Sequence, residues 1–194
     1  MVDRGDELIA AMKQNPFIAQ VMEGLLTLEL PDAWLVSGGL INTLWNVQRG
    51  CDPTAGIKDY DVFYFDEDTS WEAEDAVIKR CAEFFPHVPG GVEIRNQARV
   101  HLWASEKYGK AEMKPLTCAC DGIDGFLTAC TMVGAQLDAS GEVVLYAPVG
   151  LGDAFDGIIR ANPLKSLEGQ EPFYWLKAKR WQDVWPDLEI IAPE

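Results

Sequence analysis

Two aspartates, Asp59 and Asp61, stand at the head of a short hydrophobic run. Side chains two residues apart on a strand project from the same face, so both carboxylates can point at one spot while Tyr60 points the other way. Adjacent carboxylates repel each other, and at neutral pH such a pair usually binds a divalent cation or shares a proton. The spacing therefore predicts a metal-binding or acid–base pair at the start of a strand.

A glycine turn precedes this pair along the chain. Ser37, Gly38 and Gly39 follow a short apolar stretch and lead into a segment with helical spacing of its apolar residues. Such a turn offers free backbone N–H groups and room for a phosphate. A metal ion bound beside a phosphate is the minimum requirement for phosphoryl or nucleotidyl transfer. The simpler alternative is a strand-to-helix turn in which Ser37 only caps the helix.

The glycine turn followed by Asp59-x-Asp61 resembles the signature of the DNA polymerase beta-like nucleotidyltransferase superfamily. That signature continues with a third carboxylate on a later strand, and Glu93, between Val92 and Ile94, is the matching candidate. Segments 92–103, 146–153 and 173–185 are similar to a bacterial family of nucleotidyltransferase-like proteins. The resemblance spans residues 30–185, and it implies a fold and a reaction type but no particular substrate.

The resemblance implies Mg²⁺-dependent transfer of a nucleoside monophosphate from a nucleoside triphosphate. Asp59, Asp61 and Glu93 would be the catalytic residues and the ligands of a two-ion magnesium site, in which Mn²⁺ can substitute. The turn at 37–39 would bind the triphosphate. Relatives that add nucleotides to transfer RNA carry an arginine and an acid where this chain has Asn42 and Thr43. The chain also has an insertion at 50–56, so the acceptor stays open.

Three further residues are candidates for binding the nucleotide. Asn96 lies just beyond Glu93, where it can orient a substrate or cap a helix. Arg99 and Lys177 are rare bases in an acidic chain, and Lys177 shares a helix face with Arg180 at i and i+3. These bases can neutralise phosphate beside an aromatic ring, or they can simply pair with acids and pack on core aromatics.

Composition restricts the partners. The 194 residues include 31 acids and 16 bases, for a net charge of −15. So acidic a chain repels the backbone of nucleic acids, whose binding depends on clusters of Lys and Arg. We therefore expect a small-molecule or protein acceptor, and no polynucleotide. No apolar run approaches the roughly 20 residues of a membrane span. The five cysteines, an odd number without a repeated paired spacing, and the N-terminal residues suggest the cytoplasm.

The pattern of elements predicts an α/β (α+β) fold with a mixed sheet flanked by helices. We expect one domain over 1–194, with helical segments at 1–30 and 151–194 around a core at 31–150. Predicted helices cover 6–12, 16–28, 40–49, 69–85, 124–130, 151–159 and 171–184. Predicted strands cover 33–36, 62–65, the segment around Glu93, and a hairpin of 133–137 with 143–147. The run 62–65 indicates a strand covered on both faces, while 99–103 fits a helix or a strand.

Three other functions remain open at this point. A nucleotide-binding module without turnover would have the same fold with a misplaced third carboxylate. A metal-dependent phosphohydrolase would direct the same acids at water. An interaction protein would use its acidic surface for a basic partner, and metal ions would then have no effect on it.

Overall fold

The computed structural model describes residues 3–108 and 113–193, and the side chains of all of these except residues 105–108. Its helices are α1 Gly5–Met12, α2 Pro16–Leu28, α3 Gly38–Gln48, α4 Trp71–Phe84, α5 Val100–Tyr108, α6 Ala119–Asp124, α7 Gly152–Asp156 and α8 Glu171–Val184. Its strands are β1 Trp34–Val36, β2 Tyr60–Tyr64, β3 Val92–Asn96, β4 Gly134–Leu137, β5 Val143–Tyr146, β6 Ile158–Ile159 and β7 Glu189–Ile190. The described part therefore confirms the predicted mixed α/β class.

The main sheet has five strands in the order β3-β2-β1-β4-β5. Strand β1 is antiparallel to both β2 and β4, whereas β2 and β3 are parallel. Strands β4 and β5 form the predicted antiparallel hairpin. A parallel pair needs a crossover, which α4 provides between β2 and β3. Because β2 and β3 run the same way, residues at matching positions of the two strands lie side by side on one face.

The two faces of β2 have different surroundings. Tyr60, Val62 and Tyr64 are buried in the main core, which also contains Leu35 of β1 and Ile94 of β3. On the other face, Asp61 and Phe63 are only half-buried. On this face Phe63, together with Phe65 just beyond the strand, packs against a second hydrophobic cluster that includes Trp34 and Val36. The run 62–65 is therefore covered on both faces, as predicted. The second face is covered only in part, because Asp61 and Phe63 also border a cleft, and this partly covered side is the open face of the sheet.

Most predicted helices are confirmed, and two are wrong. Helices α2 and α8 have the predicted bounds, and segment 99–103 forms the end of a 3₁₀ turn and the start of α5. The predicted helix at 124–130 is instead the end of α6, at Asp124, followed by a 3₁₀ turn at Ala129–Thr131. The predicted helix through residue 159 ends at Asp156, since Gly157 adopts a φ of 70° and the chain then enters β6.

A buried polar cluster joins the elements that carry the site. The Asn15 side-chain amide, which also caps α2, donates to Thr43 Oγ1 of α3 at 2.8 Å and to the Tyr60 hydroxyl of β2 at 3.0 Å. All three residues are at most 1% exposed. Buried groups with satisfied hydrogen bonds fix the relative positions of the elements that contribute them. This cluster therefore fixes α2, α3 and the start of β2. Among the described helices, none is long and apolar enough to cross a membrane.

Candidate active site

Three carboxylates meet at the start of β2 and β3. Oxygen atoms of Asp59, Asp61 and Glu93 all lie within 4.8 Å of one another. Asp61 and Glu93 are partners in the parallel register, and Asp59 precedes β2 by one residue. Since Asp59 and Asp61 are two residues apart, they share the open face of the sheet. The structure thus brings together the three carboxylates that the sequence singled out.

Burial and the neighbouring carboxylates raise the pKa values of both aspartates. The pKa of the Asp61 carboxyl is raised to about 6, mainly because the group is desolvated and also because Asp59 is close. The pKa of Asp59 is raised as well, first by burial and then by the charge of Glu93. Each shift reports that placing a negative charge here is unfavourable without a compensating cation. A divalent cation would remove that cost.

Tyr60 and two glycines hold the aspartates in place. The Tyr60 ring lies on the core side of β2, and a Cβ at Gly39 would come within 2.9 Å of that ring. Gly39 therefore allows α3 to pack closely on β2. Gly90, just before β3, has a φ of 78°, and a Cβ there would collide with the backbone carbonyl of Lys58. Only glycine permits that conformation and that approach, which bring the start of β3 beside Asp59.

The glycine turn lies beside the carboxylates because Val36, the last residue of β1, pairs with Asp61. Ser37 has φ 55° and ψ −114°, a conformation that favours glycine, and it is 2% exposed. It occupies the N-cap position of α3 without a side-chain cap hydrogen bond, so the simple capping interpretation is not met. A Cβ at Gly38 would meet nothing within 4 Å. The first N–H groups of α3 have no partner inside the helix, and the space in front of Gly38 is open.

A cleft of about 540 Å³ extends from the carboxylates along β2 and β3. Its floor is formed by Asp61, Phe63, Glu93 and Arg95, which share the open face, and by Gln97 beyond them. Its walls come from α5, α6 and α8, from the segments before and after α6 and from the residue before α8. The wall residues are Val100, Trp103, Ala104, Met113, Leu116, Asp121, Gly122, Gly125, Phe126, Leu127, Gln170, Phe173, Leu176, Lys177 and Arg180. A volume in this range suits a small ligand.

Two bases of α8 face this cleft. Lys177 is half-buried, with its Nζ 4.9 Å from the Trp181 ring centroid and 5.6 Å from that of Phe126. Burial lowers the pKa of Lys177, and the charge of Asp61 opposes that shift. Within the described residues, neither Lys177 nor Arg180 has a carboxylate within 4 Å. Lys177 is therefore a cation that faces Asp61 without forming a direct ion pair.

Arg95 forms an ion pair with the third carboxylate. Its Nη2 lies 3.0 Å from Glu93 Oε1, and both side chains are near half exposed. Arg95 follows Glu93 by two residues on β3, so the two share the open face. The bases predicted to bind the nucleotide were Arg99 and Lys177, and not Arg95, although the same strand periodicity that links Asp59 to Asp61 links Glu93 to Arg95.

Two expected nucleotide-binding residues lie elsewhere. Arg99 is buried beside Glu74 of α4, with its Nε 3.2 Å from Glu74 Oε2, and it donates to the Ser70 carbonyl. The Asn96 side chain accepts from the Ala98 N–H, which caps the 3₁₀ turn, and it bonds the backbone of the loop after β2 at Asp66. Neither residue lines the cleft. Their roles in the fold explain the side-chain types, and Asn96 follows the helix-capping alternative.

Comparison with known proteins identifies the family. A family model described as "Nucleotidyltransferase" matches residues 23–190. No curated protein matches the chain significantly in sequence. An NMR structure described as revealing "a CCA-adding enzyme head domain" is 27% identical, with a TM-score of 0.80 over 98% of this chain and 97% of that one.

A second similar structure, described as the complex of a CCA-adding enzyme with ATP, is 15% identical, with a TM-score of 0.54. It covers 95% of this chain, but this chain spans only 42% of that enzyme, so the likeness concerns the fold. The family model covers most of the chain, and the first of the two solved structures has the same fold over nearly its whole length. The chain belongs to a nucleotidyltransferase family.

Proposed function

We propose that the protein is a Mg²⁺-dependent nucleotidyltransferase that moves a nucleoside monophosphate from a nucleoside triphosphate to a small-molecule or protein acceptor. The observation that carries this proposal is the meeting of Asp59, Asp61 and Glu93, whose oxygens lie within 4.8 Å of one another. Membership of a nucleotidyltransferase family supplies the reaction class. All five cysteines carry free thiols, which agrees with the cytoplasm as the proposed location.

The residues fit a hard divalent cation. Carboxylate oxygens are the ligands that Mg²⁺ prefers, and Mn²⁺ accepts the same ligands. The raised pKa values of Asp59 and Asp61 indicate crowded negative charge that a cation would relieve. When bound, a pair of such ions would stabilise the attacking and leaving oxygens of an in-line displacement. Asp59, Asp61 and Glu93 are the residues that would hold them.

The donor's phosphates have binding groups on both sides of the carboxylates. On one side, the N–H groups at the start of α3 adjoin the open space at Gly38, and a helix N-terminus favours anions. On the other side, Lys177 lies opposite Asp61. In this proposal the Ser37–Gly39 turn binds the phosphates that leave, and Lys177 binds the phosphate that is transferred.

Glu93 is the group best suited to take the acceptor's proton. It is the most exposed of the three acids, and it lines the cleft from which an acceptor would approach. Its ion pair with Arg95 restrains the carboxylate beside Asp61. A positioned carboxylate within hydrogen-bond reach of a hydroxyl can act as general base.

The acceptor class follows from charge. A chain with a net charge of −15 has little means of gaining the counterion release that dominates binding of polynucleotides. The similar structure described as a CCA-adding enzyme head domain makes an RNA end the alternative to be tested. We favour a small molecule or a protein side chain because the bases of the cleft, Arg95, Lys177 and Arg180, are too few to follow a polynucleotide backbone.

The test is to incubate the protein with α-labelled nucleoside triphosphates and Mg²⁺, and to follow both pyrophosphate release and the labelled product. Pools of small hydroxyl compounds, the protein itself and transfer RNA serve as separate acceptors. Labelled small molecule or protein together with pyrophosphate supports the proposal. The Asp59→Asn/Asp61→Asn double variant should give neither product.

Other outcomes would contradict the proposal in recognisable ways. Orthophosphate release without an acceptor indicates a phosphohydrolase. Nucleotide binding without pyrophosphate release indicates a binding module. If Mg²⁺ with nucleotide does not raise the melting temperature of the wild type, the metal site is wrong, since a ligand that binds the folded state must stabilise it.

A further inference from the structure

The end of the cleft farthest from Asp59 has its own chemistry. We define the far end as the part formed by Val100 and Trp103 of α5 and by Gln170 and Phe173 at the start of α8. Resting on the proposed function, we propose that the far end binds the nucleobase of the donor, and that the side-chain amide of Gln170 selects adenine.

The packing of α8 shows which end of the cleft lies near the carboxylates. Near its C-terminus, Trp181 and Trp185 pack against Trp45 of α3, with ring centroids 5.7 Å and 5.2 Å away. A Cβ at Gly56, three residues before Asp59, would lie 3.3 Å from Val184 Cγ1. The C-terminal half of α8 therefore lies on the side where β2 begins. The N-terminal end, with Gln170, points away from the carboxylates and from the glycine turn.

Gln170 lines the cleft with a side-chain amide that has no hydrogen-bond partner among the described residues. The residue is 5% exposed and lines the cleft. Its backbone carbonyl accepts from the N–H groups of Phe173 and Tyr174. Among the described residues, none hydrogen-bonds its side-chain amide. The amide nitrogen and oxygen of Gln170 are not among the fully enclosed unpaired side-chain atoms of the described residues, so a ligand that enters the cleft can reach both the donor and the acceptor.

Gln97 differs from Gln170 in the hydrogen bonding of its side-chain amide. It is also buried and lines the same cleft, but its Nε2 donates to the carbonyl of Arg95 at 3.3 Å. The two glutamines therefore differ in what is left for a ligand. Gln97 is partly committed to holding the end of β3, whereas both the donor and the acceptor of the Gln170 amide remain available in the described part of the chain.

The walls of the far end suit a flat apolar body. Phe173 and Leu176 lie on the cleft side of α8 and are 41% and 51% exposed. Val100 and Trp103 of α5 also line the cleft. Large apolar side chains left accessible within a cleft mark a binding surface. A nucleobase has apolar faces and a polar edge, so it can stack on such side chains while an amide contacts its edge.

The spacing along α8 matches the donor. Gln170, the N-cap of α8, and Lys177 are seven residues apart, so their backbone positions lie on the same side of the helix and about 10 Å apart along its axis at 1.5 Å per residue. That is about the reach of a nucleoside from its 5′-phosphate to the far edge of its base. A donor whose α-phosphate is at Lys177 and Asp61 would thus bring its base to Gln170.

The amide favours one base. Adenine presents the N6 donor beside the N7 acceptor, which an amide can pair with bidentately, whereas guanine presents two acceptors on that edge. On that edge of guanine, the amide NH₂ of Gln170 would find a partner and its carbonyl would not. Guanine can pair with both groups only through N1–H and O6, whereas adenine offers a donor beside an acceptor on either of its polar edges. We therefore expect tighter binding of adenine nucleotides than of guanine nucleotides.

The experiment measures the affinities of α,β-methylene ATP and α,β-methylene GTP, both with Mg²⁺, for the wild type and for Gln170→Leu. The wild type should prefer the adenine analogue by at least about fivefold, the lower range for one bidentate contact. Gln170→Leu should lose this preference by weakening the adenine analogue, with little change for the guanine analogue. Gln170→Asn, which keeps the amide but shortens its reach, should lie between the two and serves if the leucine variant does not fold.

Glu171→Gln is the matched control, because Glu171 is the next residue, is exposed and does not line the cleft. It should keep the wild-type preference. Equal affinities in the wild type, or an unchanged preference in Gln170→Leu, would overturn the role of Gln170 and leave the proposed function intact. Unchanged nucleotide binding with a loss of acceptor labelling would assign the far end to the acceptor and overturn the inference. If the wild type binds neither of these analogues, and binds neither α,β-methylene CTP nor α,β-methylene UTP, the proposed function itself fails.

Discussion

Asp61 on β2 and Glu93 on β3 are neighbours in a parallel register, so their carboxylates stand on the same open face of the sheet. Asp59 joins them from two residues before Asp61, and the three oxygens lie within 4.8 Å. This arrangement is unfavourable without a cation, because burial and mutual repulsion raise the pKa of Asp61 to about 6. A bound metal ion would relieve this unfavourable crowding of charge, and the effect can be measured as a change in the free energy of unfolding.

The first prediction concerns Asp61→Asn without metal. The pKa of Asp61 in the folded state is above its ordinary value, so the folded protein holds this proton more tightly than the unfolded chain. The free energy of unfolding of the wild type should therefore fall as the pH rises from about 4 to about 6, and the loss is complete above that window. The variant lacks this loss and should be more stable near pH 7 by at most about 2 to 3 kcal/mol.

Denaturant unfolding across this pH range tests the prediction. The advantage of Asp61→Asn should vanish below about pH 4, where the wild-type carboxyl is protonated in both states. Magnesium added near pH 7 should stabilise the wild type more than the variant. A variant that is less stable than the wild type near pH 7 would mean that the carboxylates are not crowded in the way described.

The second prediction concerns Glu93→Gln. If Glu93 takes the acceptor's proton, this variant should lose nucleotidyl transfer by about a hundredfold or more, in the range for general bases. It should still bind nucleotide with metal, since Asp59 and Asp61 remain. Pyrophosphate release and a nucleotide titration measure the two properties separately. The control is Glu72→Gln, an exposed acid in the first turn of α4, which should behave as wild type.

The third prediction compares Lys177→Met with Lys179→Met. Lys177 faces the cleft opposite Asp61, whereas Lys179 lies on the same helix, is exposed and does not line the cleft. Loss of the Lys177 charge should weaken nucleotide binding about tenfold or more, as expected for a charge-assisted contact to phosphate. Lys179→Met should change it little. Equal effects would show that the overall charge of α8 matters, and not its cleft face.

The fourth prediction concerns Arg99→Met. Arg99 and Glu74 form an ion pair whose side chains are each 11% exposed, and removing one partner leaves the other charge buried. The variant should be destabilised by about 3 kcal/mol or more. Its nucleotide affinity, measured below its melting temperature, should equal that of the wild type because Arg99 does not line the cleft. Weaker nucleotide binding by a folded variant would restore Arg99 as a site residue.

The fifth prediction concerns polynucleotides. At low salt, transfer RNA and single-stranded DNA should bind no more tightly than about 10⁻⁴ M, the weak end of non-specific binding, because the chain has a net charge of −15. Filter binding over a range of salt concentrations, together with labelled ATP incorporation, is the measurement. Micromolar binding with a steep salt dependence, or a labelled RNA product, would show instead that the acceptor is RNA.

Local patterns along the chain predicted much of the fold. Helices α2 and α8 have their predicted bounds, because each has a proline in its first turn, Pro16 or Pro172, and a second proline, Pro31 or Pro186, follows within three residues of its end. The hairpin of β4 and β5 followed from a turn at Ser140-Gly141. The failures lie where local pattern and tertiary contact disagree. Residues 158–159 look helical in sequence but pair with residues of β7 that lie 31 positions further along the chain.

The candidate site divides in the same way. Strand periodicity by itself aligned Asp59 with Asp61, and the resemblance named Glu93, whose meeting with them depends on the β2–β3 register. The sequence also named Arg99 and Lys177 as available bases, but it could not say which of them faces the cleft. That choice depends on which elements pack on which face of the sheet: α4 buries Arg99 beside Glu74, and α8 brings Lys177 to Asp61.

The spacing of residue types in the sequence predicted a pair of carboxylates on one strand face beside a glycine turn, and the resemblance of that pattern to the nucleotidyltransferase signature implied the reaction class. Only the tertiary structure decided that β2 has an open face, that Arg95 contacts Glu93, and that the amide of Gln170 reaches the cleft. The reason is physical. Side-chain direction within one strand is fixed by local backbone geometry, whereas contacts between residues far apart in the chain depend on how the whole core packs.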